Sequence, residues 1–509
     1  MADAPPPVHK GRKGGALWEE LLHTLPADPS TLPFFREDPA AVAAAEARKA
    51  EVLAQIKARD AKPTDTSLYD DVRAGKRAFV HGKDSVTEYL TALMQKEILI
   101  FDGGMGTMIQ LRKPDAATYA GDRYAEWPCS VKGNNDCLSI TQPEMIKEIH
   151  TEYLEAGAEL IGTNTFSGTT VAQADYKMES EVDELNIKST EIAVEACRAV
   201  EAADPTKPRF VAGSVGPTNR TLSISPNVED PGFRNITFME LVEAYKQQIV
   251  GLVKGGCDVI LVETIFDTLN AKAALYAYDV AKEEAGGAMD DMPLMISGTI
   301  VDQSGRTLSG QTTEAFYVSM RHSKPLSIGL NCALGAKQML PFLTKLSNVA
   351  ECFVTVYSNA GLPNAMGGYD ETPEAMAEDN LAFADAGLVN MVGGCCGSQP
   401  SHIAAIAKAL KGKAPRPLPE LPEPYMWLSG LEDLVITKEK LRFVNIGERC
   451  NIAGSIAFKK LVLAGDYQKC MEVAAKQVAG GAHVVDINLD DGLLDGVSAM
   501  QKFCKIAVT

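Results

Sequence analysis

The chain has 509 residues, 46% hydrophobic and 23% charged, with a formal net charge of −18. That is too long for one ordinary domain and apolar enough for a large buried core, which excludes global disorder. The acidic balance argues against a nucleic-acid partner, because phosphate binding needs a basic surface. No apolar run reaches the roughly eighteen residues of a membrane span, so no membrane partner is expected. The opening MADAPPPVHKGRKGG lacks an apolar signal core, and Glu19, Glu20 and Asp28 weaken a transit-peptide reading. Eleven cysteines, an odd count without a signal, point to reduced thiols and a cytoplasmic setting rather than a disulfide framework.

Residues 1–85 are rich in Pro, Ala and alternating charge and read as an N-terminal extension, partly helical. Ala40–Arg59 has helical propensity and helically spaced acids and bases; the segment is expected to be a surface appendage or docking arm. From Val86 the pattern changes to short apolar runs alternating with amphipathic helices. The runs are Ile98–Phe101, Leu160–Thr163, Phe210–Gly213, Val259–Val262, Leu294–Ser297, Ser327–Leu330, Phe353–Val356 and Val389–Val392. Continuous apolar strands with helical crossovers imply a parallel sheet covered on both faces, and eight units over residues 86–412 predict a (β/α)₈ TIM barrel, an α/β fold. A doubly wound open sheet is the competing topology.

Residues 413–440 begin with the Pro-rich KGKAPRPLPELPEP and are expected to be an extended, semi-stiff linker. Residues 441–509 add a strand at Arg442–Ile446, a helix at Asp466–Ala479 and a strand at His483–Ile487. Two strands cannot close a sheet or bury an apolar face, so this stretch reads as the truncated beginning of a second α/β barrel.

Functional residues of such barrels lie just past the C-terminal ends of the strands. Cys332 follows the sixth run in GLNCALG, and Cys395 and Cys396 follow the eighth in VGGCCGS. Three thiolates from strands two apart around the ring make a ready cluster for one soft metal ion, and zinc takes such ligands while keeping one position open for substrate. No histidine stands at these strand ends, so the donor set suits activation of a substrate thiol better than hydrolysis. The bland alternative is buried structural cysteines or a vicinal redox pair. Asp102 and Glu263 are acids at strand ends, where uncompensated burial is costly. They are candidates to receive a substrate ammonium; a helix cap or a buried ion pair is the structural alternative. Gly103, in DGGMG, permits close backbone approach to a substrate carboxylate. The remaining eight cysteines lack partners at useful spacing and read as small core or surface residues.

Together DGGMGTMIQ, GTNTFSGT, GSVGPTN, VETIFDTLNAKAA, GLNCALG, YSNAGLPN and VGGCCG resemble the homocysteine-binding domain of the cobalamin-dependent methionine synthase family, itself within the homocysteine S-methyltransferases. The resemblance runs from about Val86 to Lys411, in family order. It implies Zn2+ on Cys332, Cys395 and Cys396, with Asn359 as the resting fourth ligand. L-homocysteine would enter as a thiolate, its amino group held by Glu263 and the loop at Asp102 and Gly103. FVNIGERCNIAGS and HVVDINLDDG resemble the opening of that family's pterin-binding barrel, which implies pterin contacts from Asp486 and Asn488; Cys450 replaces a common Thr there. The implied activity is methyl transfer from methylcobalamin, and ultimately methyltetrahydrofolate, to give methionine, with a cobalamin-binding domain supplied in cis by a longer chain or in trans. Two alternatives stand beside it. One is a cobalamin-independent methyltransferase using S-methylmethionine or betaine; the other is a truncated, non-catalytic fragment that binds zinc and homocysteine.

Overall fold

The computed structural model describes residues 65–508, apart from 302, 420–425, 438–440, 442 and 493. Eight parallel strands form one sheet: β1 (Leu99–Ile100), β2 (Leu160–Gly162), β3 (Phe210–Val215), β4 (Val259–Ile265), β5 (Leu294–Gly298), β6 (Ser327–Gly335), β7 (Phe353–Asn359) and β8 (Met391–Gly394). They are ordered β1-β8-β7-β6-β5-β4-β3-β2, and a parallel bridge between Phe101 and Leu160 closes the ring. All eight expected strands are present, and the closed barrel replaces the open-sheet alternative.

Two helices precede β1, α1 (Ser67–Arg73) and α2 (Val86–Lys96). The crossovers are α3 (Pro143–Glu155), α4 (Val182–Glu201), α5 (Phe238–Gly255), α6 (Thr268–Glu284), α7 (Thr313–Met320), α8 (Ala336–Val349), α9 (Pro373–Asp385) and, after β8, α10 (Pro400–Leu410). Their starts are capped: Thr237 and Glu240 form a reciprocal capping box on α5, and the Asp267 carboxylate accepts from Leu269 and Asn270 at α6.

Side chains alternate along each strand, and the two parities have separate fates. Ile100, Ile161, Val211, Ile260, Ile296, Ile328, Val354 and Val392 pack under the helices. Leu99, Leu160, Phe210, Val259, Leu261, Met295, Phe353 and Met391 form the other cluster, inside the ring. Burial on both faces is why the strands read as unbroken apolar runs. Nearer the C-terminal ends the inner parity turns polar, with Ser214, Glu263, Ser297, Asn331 and Tyr357 continuing the columns. That change places the site.

Residues 65–85 depart from the expected surface arm. Tyr69, Val72 and Phe79 are buried, and with Tyr89, Leu90, Leu93 and Met94 of α2 they join the inner-ring cluster as its floor. The Phe79 ring centroid lies 5.3 Å from Phe210 and 5.2 Å from Tyr89. Ion pairs fasten the floor's edge: Arg73 to Glu159 at 2.6 Å and His81 to Glu201 at 3.0 Å. The expected Ala40–Arg59 helix lies outside the described residues.

The stretch 413–440 is also not a free spacer. Arg416 is buried and donates to the carbonyls of Ser347, Ala350 and Cys352. An antiparallel hairpin then forms from β9 (Met426–Ser429) and β10 (Asp433–Ile436). It sits on α7, with Trp427 against Tyr317 and the Ser429 hydroxyl donating to the Ala315 carbonyl at 2.8 Å. Beyond it, β11 (Ile446–Asn451) and β12 (Val484–Asn488) pair in parallel. As expected, the two strands bury little by themselves: Cys450 is their one buried residue, and the small apolar cluster beside them is built mainly from α11 (Ile456–Leu463), α12 (Tyr467–Ala479) and α13 (Gly496–Ala507). Among the described residues no helix is long and apolar enough to cross a membrane.

A structural floor and a surface arm differ in stability. Phe79→Ala is expected to cost about 3–5 kcal/mol in urea unfolding, whereas an arm residue would change it by no more than about 0.5 kcal/mol.

Candidate metal centre at the barrel mouth

Two irregularities in the ladder create the site. Between Val262 and Ile265 the β4 register slips against β5, and between Asn331 and Gly335 the β6 register slips against β7. The displaced residues take left-handed backbone: Thr264 at φ 56°, Cys332 at 60° and Ala333 at 58°. Such conformations are costly for residues with a Cβ, most of all for β-branched Thr264. A bulge re-aims a side chain out of the strand's alternation, and here the re-aimed residues flank Glu263 and include Cys332.

The Cys332 and Cys396 sulfurs lie 3.6 Å apart, and the three Sγ atoms of Cys332, Cys395 and Cys396 all fall within 4.8 Å of one another. Among the described residues they are the one His/Cys/Asp/Glu group so arranged. The vicinal pair is held by its own backbone. Cys395 N–H donates to the Ser358 carbonyl at 2.7 Å, Cys396 N–H to Asn359 Oδ1 at 3.1 Å, and Ala360 N–H to the Cys396 carbonyl at 2.9 Å. The loop after β1 clamps the other side. Ser398 Oγ accepts from Gly104 N–H at 3.1 Å and donates to the Cys395 carbonyl at 2.7 Å, while Tyr153 OH shares its single proton between the carbonyls of Gly104 and Ser398.

Crowding three thiols sets their protonation. Bonds from Cys332 and then Cys395 pull the Cys396 pKa far down, whereas Cys395 is pushed up by its bonds to Cys332 and Cys396 and by burial. Cys332 is also raised: the Cys395 bond opposes the rise, and the Cys396 bond and burial outweigh it. The ring of Tyr369, in the loop between β7 and α9, packs over Gly397, near enough to Cys396 to help lower its pKa.

Beside the sulfurs stand two buried acids. Glu263 accepts from the Ser214 hydroxyl and from Tyr357 OH at 3.1 Å. Asp102 Oδ2 accepts from Gly162 N–H at 2.9 Å. Burial raises both carboxyls above their ordinary ranges, against the lowering effect of these donors, and Glu263 raises Asp102 further. Their partners are hydroxyls and backbone amides rather than bases, and neither caps a helix. Gly103 is required by packing, since a Cβ there would meet the Tyr153 ring at 2.7 Å.

Of the residues singled out from sequence, Cys332, Cys395, Cys396, Asn359, Asp102, Gly103 and Glu263 converge here. Asp486 and Asn488 lie apart in β12, two residues from each other and so on one face; Asn488 Oδ1 accepts from Asp490 N–H at 2.8 Å. Sequence reasoning missed Tyr153, Tyr357, Tyr369 and Ser398. Tyr357 alone carried a signal, standing two positions before Asn359 on the inward parity of a strand.

A family model described as homocysteine S-methyltransferase matches residues 99–410, and one described as pterin binding enzyme matches residues 447–508. Among solved structures the chain is similar to the metallated form of the homocysteine methyltransferase MmuM from Escherichia coli. Identity is 22%, coverage 62% of this chain and 97% of that one, and TM-score 0.46. The oxidised form of MmuM gives 21% identity, 62% and 98% coverage and TM-score 0.49. The first family model spans more than half of the chain, from β1 to the end of α10, and includes every residue of the mouth just described. The chain belongs to the homocysteine S-methyltransferase family.

Proposed function

We propose that this chain binds homocysteine by its sulfur at a zinc ion held by Cys332, Cys395 and Cys396 and presents it for methylation to methionine. The observation that carries the reading is the meeting of three sulfurs beside two buried, base-free carboxyls. The donor set fits the ion: about 2.3 Å zinc–sulfur bonds in a tetrahedron put the sulfurs roughly 3.8 Å apart, and Cys332 and Cys396 already stand at 3.6 Å. When bound, the ion supplies the positive charge that lets a substrate thiol lose its proton at neutral pH.

The chain's own groups do the rest. Glu263, fixed by Ser214 and Tyr357, receives the substrate ammonium together with Asp102, and Gly103 keeps the adjoining backbone open to the carboxylate. Asn359 serves as the resting fourth ligand, which requires its Oδ1 to leave or share the Cys396 N–H. Methylation is a displacement: the substrate sulfur bonds the methyl carbon as that carbon's bond to its donor breaks, the thiol proton having already left. The pterin-binding match over residues 447–508 supports methyltetrahydrofolate as the ultimate methyl source and methylcobalamin, on a domain in cis or in trans, as the immediate donor. Asp486 and Asn488 would hydrogen-bond the pterin.

Stripping the metal with a chelator should abolish homocysteine binding in calorimetry, and adding zinc should restore it; undiminished binding by metal-free protein would refute the reading. A second expectation concerns Glu263. Its raised folded pKa means that the unfolded chain loses its proton first as pH rises past the ordinary value of 4.5, so stability falls from there upward. Glu263→Gln should remove that fall and melt at a higher temperature than wild type at pH 8. It should also bind homocysteine roughly 10–100-fold more weakly through loss of a charged hydrogen bond. Equal melting profiles across pH, or full affinity, would contradict the assignment.

A further inference from the structure

Asn331 sits at the start of the β6 bulge, one residue before Cys332, and is fully buried. Its side chain reaches across the ring to the other bulge. Oδ1 accepts from Thr264 N–H at 3.0 Å and from Ser297 Oγ at 2.7 Å, and Nδ2 donates to Thr264 Oγ1 at 2.7 Å. Its own carbonyl accepts from Thr299 Oγ1 at 2.7 Å. Because a backbone N–H can only donate, the amide's orientation is fixed by Thr264.

One side chain thus spans β4, β5 and β6 and pins the left-handed residue that follows Glu263 while its own strand turns left-handed at Cys332. Left alone, each bulge would be free to relax toward ordinary backbone, since Thr264, Cys332 and Ala333 all pay for their φ values. The two bulges carry different halves of the site, an ammonium acceptor on β4 and a sulfur ligand on β6. Building on the function proposed above, we infer that Asn331 is a positioning residue that sets Glu263 relative to Cys332, so that sulfur binding and amino-acid recognition act as one unit. A purely structural amide would hold the strands together without distinguishing between ligands. A positioning amide makes the chain prefer thiols that also carry an ammonium.

The test uses the full chain loaded with cobalt(II), whose thiolate charge-transfer band reports sulfur ligation, titrated with L-homocysteine and with 1-propanethiol, which lacks the ammonium and the carboxylate. Asn331→Ala should weaken homocysteine by about tenfold or more while leaving propanethiol within about twofold. In a Glu263→Gln background the same substitution should add less than about threefold, since residues acting through one another are not additive. If Asn331→Ala does not fold, Thr264→Ala should give the same split, and Thr264→Ser, which keeps the hydroxyl, should restore homocysteine binding. Equal weakening of both thiols, no weakening of either, or an undiminished loss in the Glu263→Gln background would overturn the inference. A wild-type chain whose cobalt band ignores homocysteine would instead overturn the functional reading, and this inference with it.

Discussion

Three sulfurs are held within a few ångströms of one another by hydrogen bonds to the backbone of their loops, and the rest of the mouth follows from that constraint. At such separations each thiolate raises the cost of ionising its neighbours in a partly buried site. The means of holding the cluster are unequal around the ring. Cys395 and Cys396 are fixed from both sides, by the end of β7 and by the loop after β1, whereas Cys332 reaches them only because β6 abandons its ladder at Asn331.

The barrel makes this affordable by separating stability from chemistry along its axis. The floor and the lower inward layers, from Phe79 and Tyr89 to Met391, are apolar and close-packed. Above them Ser214, Glu263, Ser297, Asn331 and Tyr357 turn the same inward columns into a hydrogen-bonded polar layer, and within the described barrel strands the left-handed non-glycine residues lie at the two bulges. Desolvated carboxyls and left-handed residues are liabilities for the free protein, and functional sites are where such liabilities are retained.

Much of this was legible in the residues. Strands buried on both faces leave unbroken apolar runs, so all eight could be located, and the strand-end rule then placed Cys332, Cys395, Cys396, Asp102 and Glu263 at one mouth. The floor was not legible, because Tyr69, Val72 and Phe79 are thinly spaced in a segment whose composition is dominated by charge. The hairpin at Met426–Ile436 was hidden by the Pro-rich stretch before it. Nothing in GLNCALG announces left-handed backbone at Cys332 and Ala333, since no glycine marks those positions. Tyr369 comes over Gly397 only through the folded path of a long loop, for which sequence offers no rule.

The proposed function requires Cys332, Cys395 and Cys396 to ligate one ion and leave room for a substrate sulfur. X-ray absorption at the zinc edge tests it most directly. The zinc-loaded chain should show three sulfur scatterers at about 2.3 Å, rising to four when homocysteine is added. Fewer than three sulfurs at the start, or an unchanged sulfur count with homocysteine bound, would contradict it.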